Sequence, residues 1–149
     1  MKSPQIERIN NTICTTFEQF TTNQTQQIIL AQQKIETVLI LNVELLLPDA
    51  INNTDEQVLL KFHRYLAANI HNYVSHKFLR LLWLKECECH KLCILLNRED
   101  YPFINNYSGN MENLDGYIKQ AWANALGCQW GDLFEKVRYP INPIYLFNK

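Results

Sequence analysis

The segment Cys87-Glu-Cys-His-Lys-Leu-Cys93 gathers three thiols and one imidazole within seven residues. Thiolate and imidazole are the donors of tetrahedral zinc sites. On a helix each residue advances about 100°, so Cys89, His90 and Cys93 would share one side while Cys87 points away. Cys128 would then have to supply the fourth ligand. Packing is the competing reading, because Leu82, Cys89, Cys93 and Leu96 fall on one narrow helical stripe and free cysteine behaves as a small buried hydrophobe. Packing is the preferred reading, and no metal or other cofactor is expected. A second constellation is Arg64 and His71, separated by almost two helical turns and so stacked within about 20° of each other. Phe62, Leu66, Asn69 and Tyr73 mark the opposite, buried side of that helix. An imidazole can relay protons and a guanidinium can stabilise phosphate charge, which is the chemistry of phosphodiester cleavage.

The stretch Arg64-Tyr-Leu-Ala-Ala-Asn-Ile-His71 resembles the Arg–His element of HEPN-domain ribonucleases. That resemblance implies a helical bundle whose dimer cleft brings together Arg and His from two protomers and cleaves RNA without metal. It would make His71 the acid/base and Arg64 the phosphate-stabilising group. The resemblance covers eight residues, and Tyr65 stands where the family usually has Asn. A solvated helix face is the preferred reading of this pair.

The C-terminal third carries a different signal. Ten of the 17 aromatic residues lie after position 100, among them Trp122, Trp130, Tyr139, Tyr145 and Phe147. Rigid rings lose little entropy on binding, so aromatics interleaved with proline suit a recognition surface as well as a core cap. These five are the candidate partner-binding residues.

The elements that must position these groups read as helices. Ile6, Ile9, Ile13, Phe17 and Phe20 are spaced by three or four, and so are Ile28, Ala31, Ile35, Val38, Asn42 and Leu45. The stretch 37–47 is compatible with either a helix or a buried strand; its length favours helix, ended by Pro48. Thr54 and Gln57 form a capping-box signature. No Gly or Pro occurs from Asp55 to Asn97, and a single helix of that length would be too long for a compact domain. A break is expected near Tyr73–Lys77, with a further helix beyond it. Leu114, Ile118, Trp122 and Ala125 share one face of another helix that Gly127 should stop. A short helical turn is expected at Asp132–Val137. Pro140 and Pro143 force the tail into an extended arm.

The expectation is therefore one all-α domain over residues 1–149, an irregular bundle of about five helices. Residues 1–25 form a loosely packed N-terminal helix and 139–149 an extended tail. Composition narrows the function. The 149 residues are 47% hydrophobic, too apolar for a disordered chain. A formal net charge of −1 lacks the electrostatic footprint of a dedicated nucleic-acid binder. With four glycines and no GxxxxGK[ST] or GxGxxG, phosphate-cradling loops are absent. Five cysteines, three of them crowded, do not read as a secreted disulfide framework. The longest nearly apolar run is half of a bilayer span, which needs about 20 residues. These observations point to a cytoplasmic, alpha-helical protein-binding or regulatory module without catalytic activity. Its partner would be another protein, with a homodimer as one arrangement. The ribonuclease reading on Arg64 and His71 ranks second. The zinc or redox reading on Cys89, His90, Cys93 and Cys128 ranks third.

Overall fold

The computed structural model describes residues 11–14, 16–48, 56–71, 78–86, 89–101, 112–129, 131 and 135–148. The expected all-α bundle is overturned, because among the described residues three α-helices pack on a six-stranded mixed sheet. The fold is α/β, and the alpha-helical description falls with the bundle.

The chain runs β1 (Asn11–Cys14), α1 (Phe17–Gln32), β2 (Thr37–Leu46), α2 (Glu56–His71), β3 (Leu79–Lys85), β4 (Cys89–Asn97), α3 (Glu112–Leu126), β5 (Val137–Arg138) and β6 (Ile144–Asn148). Across the sheet the order is β1-β3-β4-β2, with β5 and β6 both bordering the far side of β2. All neighbours are antiparallel except β1 and β3. The β2-α2-β3 and β4-α3-β6 units each skip one strand, which is the ferredoxin-like, split-βαβ connectivity. To this core the N-terminus adds β1 at one edge and α1 across the second face.

The stretch 37–47 illustrates why sequence favoured helices. Thr37–Leu46 is a strand in which Leu39, Leu41, Val43 and Leu45 face α2 and α3, while Val38 and Ile40 face α1. Burial of both faces erases the apolar–polar alternation that marks a half-exposed strand. The same holds for β3 and β4, where a further helix was expected. Their hairpin turns without Gly or Pro and is closed by the Glu86 N–H donating to the Cys89 carbonyl at 2.9 Å.

The helices that do form have clear local causes. The Thr16 hydroxyl caps α1 by accepting the Gln19 N–H at 3.1 Å. Phe20, Ile28, Ala31 and Ile35 then lie against the sheet. In α2, Leu59, Phe62, Leu66 and Ile70 form one buried stripe. The helix α3 buries Leu114, Ile118, Trp122 and Ala125. It ends at Gly127, where φ of +70° suits glycine and the Cys128 N–H donates to the Ala123 carbonyl at 3.1 Å. The first expected helix is divided, since residues 11–14 are strand and α1 starts at Phe17. The tail is extended as expected, and it joins the sheet, where β6 pairs with β2. Thr54, Tyr73 and the first half of the turn expected at 132–137 lie outside the described residues. No helix among the described residues is long and apolar enough to cross a membrane.

Candidate binding groove

The Cys/His cluster lies on β4 rather than on a helix, and strand geometry divides it. Successive side chains of a strand point to opposite faces. Cys89 and Cys93 therefore share the α1 face, four residues and roughly 13 Å apart, whereas His90 enters the opposite core. There its ring meets Trp122 edge-on at 6.2 Å. Cys128 follows the end of α3. Among the described residues no three His, Cys, Asp or Glu side chains gather as a metal site. The Cys93 thiol is fully buried and accepts a hydrogen bond from Gln24 Nε2 at 3.3 Å. Burial pushes its pKa up to about 12, so it stays protonated and unreactive. Cys89 is raised too, by desolvation first and then by the Glu44 and Glu86 carboxylates.

Arg64 is exposed on the outer face of α2, and His71 is the last residue of that helix; the side chain of His71 lies outside the described set. The helical bundle that the ribonuclease resemblance implied is not the fold of this chain.

The aromatic candidates separate into core and surface. Trp122 is 0% exposed, and its Nε1–H donates to the Leu46 carbonyl at 2.9 Å. Tyr139 is half-buried against α3, where its hydroxyl donates to Asp115 Oδ1 and Asp115 Oδ2 pairs with Lys119 at 2.9 Å. Burial, reinforced by that carboxylate, raises the Tyr139 pKa and keeps the phenol protonated. Trp130 lies outside the described residues. Tyr145 and Phe147 are the two at the surface, 44% and 39% exposed.

Their position follows from register. Tyr145 pairs with Ile40 and Phe147 with Val38, so both rings project on the face that α1 covers. Because α1 stops short of the sheet edge, a groove of about 1040 Å³ remains between α1 and β6. One wall is Phe20, Thr21, Gln24, Thr25, Ile28 and Ile29 of α1; the other is Tyr145 and Phe147, with Pro140, Ile141 and Asn142 at one end. Asn42 lies on the floor, and Gln24 ties α1 to β4 through Cys93. At the other end Gln32 Nε2 donates to the Asn148 carbonyl at 3.0 Å, joining helix and strand. Ile29 is 55% exposed and Ile141 97%. Among the described residues every lining side chain is uncharged.

Tyr145 and Phe147, two of the aromatic candidates, line the groove, whereas the residues of the opposite wall were not among the candidates. The signals available were two. Ile28 and Ile29 are adjacent on a helix, so they cannot both face one core; and Ile141 sits between two prolines, where no regular element can bury it.

No curated protein and no solved structure matches the chain. Residues 6–149 match the family described as the YagK/YfjJ C-terminal domain. The match spans nearly the whole chain and both walls of the groove, and the protein belongs to the YagK/YfjJ C-terminal domain family.

Proposed function

We propose that this domain is a non-catalytic protein-binding module whose α1–β6 groove holds an uncharged, apolar segment of another protein. The observation that carries this reading is the lining: four large apolar side chains, Ile29, Ile141, Tyr145 and Phe147, are exposed around a cavity whose described lining carries no charged side chain. Nucleic-acid affinity rests chiefly on cations that neutralise phosphates, and none is among the described residues lining this groove. Carboxylates, thiols and imidazoles are likewise missing from the described lining, so it offers little for acid–base or nucleophilic work. The Gln24, Asn42 and Asn142 amides can fix the backbone of a bound segment, while the rings and isoleucines take its side chains. Contiguous exposed apolar surface rimmed by polar groups is the usual signature of such a site.

The test is selection of random ten-residue peptides displayed on phage against the whole chain, followed by affinity measurement on the selected synthetic peptides. Uncharged peptides rich in apolar residues should be enriched. Phe147→Lys combined with Ile141→Asp should weaken them at least tenfold, since truncating or charging the central anchors of an interface typically costs more than 1.4 kcal/mol, about a factor of ten. Circular dichroism should show that fold intact, because both positions are surface sites. Failure to enrich any peptide, or affinity indifferent to the double variant, would refute the reading. Preferential binding of a single-stranded oligonucleotide in the groove would refute it equally.

A further inference from the structure

Beyond the groove, β6 has a second property. The Asn42 N–H donates to the Pro143 carbonyl at 2.8 Å, continuing the register in which Ile40 faces Tyr145 and Val38 faces Phe147. In an antiparallel ladder, backbone groups alternate in direction. Residues 143, 145 and 147 therefore turn their backbone groups toward β2, and Ile144 and Leu146 turn theirs outward. Among the described residues only β2 pairs with β6, and none bonds those outward groups. At Asn148 the outward carbonyl is already taken by Gln32. An unprotected strand edge is a template for another strand.

We infer that this edge joins a second copy of the chain, β6 to β6, antiparallel about a two-fold axis through Tyr145. Only one register uses the free groups alone. It pairs Ile144 of one copy with Leu146 of the other, and the reverse, exchanging four backbone hydrogen bonds. Tyr145 then faces its symmetry mate in a non-hydrogen-bonded pair, where side chains approach most closely. Charge agrees with self-association, since the ten residues Tyr139–Asn148 carry none. Like-charge repulsion, the ordinary protection of a strand edge, is missing here. The closed two-fold contact also explains why Tyr145 is exposed in one chain alone. Its mate's ring covers it, and the two grooves become one concave surface on the α1 side of a continuous sheet.

Sedimentation of the full chain, without any peptide, tests this. A dimer is expected. Tyr145→Lys should raise its dissociation constant at least tenfold by setting two ammonium groups opposite each other, with circular dichroism unchanged. Register is read by crosslinking under a mild oxidant, with the native sequence as control for its own cysteines. Tyr145→Cys should crosslink to its mate, because the Cα atoms would lie about 4.5 Å apart, within disulfide reach. Phe147→Cys should not, its mate lying roughly 13 Å or more away along the strand. A monomer, or a dimer insensitive to Tyr145→Lys, overturns the inference, as does equal crosslinking at both positions. Peptide binding by a monomer would leave the groove reading standing while this one falls, so the two fail separately.

Discussion

Replacing Trp122 with alanine is expected to cost about 3–5 kcal/mol of stability, the range for deleting a fully buried large aromatic. Three contributions add. The indole is 0% exposed, so its removal returns a large apolar area to the unfolded-state balance and leaves a cavity that rigid neighbours fill only in part. It loses edge-to-face contacts with Phe62 at 6.0 Å and with His90 at 6.2 Å, each worth about 0.5–1.5 kcal/mol beyond area for aromatic pairs. The Leu46 carbonyl also loses the Nε1–H donor at 2.9 Å. Trp122 thus connects α3 to α2, β4 and β2 at once, and ordinary domains have only about 5–15 kcal/mol in total. Urea unfolding should show the midpoint falling sharply with the slope nearly unchanged. Trp122→Phe, which keeps most of the ring and gives up the donor, should recover more than half of the loss. Ile141→Ala, at a position 97% exposed, should move stability by no more than about 0.5 kcal/mol. A loss below about 1.5 kcal/mol in Trp122→Ala would contradict the packing described.

The contrast between Trp122 and Tyr145 shows what the sequence could and could not reveal. Both belong to the aromatic-rich last third, and composition treats them alike. Local context separates them: Trp122 shares a helical stripe with Leu114, Ile118 and Ala125, whereas Tyr145 follows two prolines. The helices α2 and α3 were legible because each buries one stripe and wets the other. The strands β2, β3 and β4 were not, since Leu-rich stretches buried on both sides carry no period. Leucine also favours helix by intrinsic propensity, so tertiary burial had to override local preference. Cys89, His90 and Cys93 show the consequence for chemistry. At 100° per residue they converge; at 180° the imidazole departs to the opposite face. One half of the groove was readable for the same reason that the other was not. Tyr145 and Phe147 announce themselves by type, but Ile28 and Ile29 line the site only because α1 crosses a strand more than 110 residues later in the chain.

Stability should fall steeply as the pH drops from 6.5 toward 4, and His63 should account for much of the fall. His63 lies on α2 beside Phe62, 4% exposed, and its Nε2 meets no hydrogen-bond partner among the described residues. Burial lowers its pKa from 6.5 to about 4 because the low-dielectric interior disfavours imidazolium. The unfolded chain therefore takes up this proton near pH 6.5 while the folded chain resists it until about pH 4. Between those values the unfolded state holds more protons, so stability rises with pH. The contribution is complete above the unfolded pKa and is lost as pH falls to the folded one. At about 1.4 kcal/mol per pH unit, the interval corresponds to roughly 3 kcal/mol. His90 has the same sign, lowered by burial and secondarily by Lys85. His63→Leu separates the two. It removes an unsatisfied buried nitrogen, so at pH 7.5 it should be neutral or mildly stabilising. At pH 4.5 it should be more stable than the native chain by about 2 kcal/mol. Urea midpoints at pH 7.5, 6, 5 and 4.5 read both effects. An equal pH slope in the two proteins would mean that His63 titrates alike folded and unfolded, which a histidine sealed under α2 cannot do.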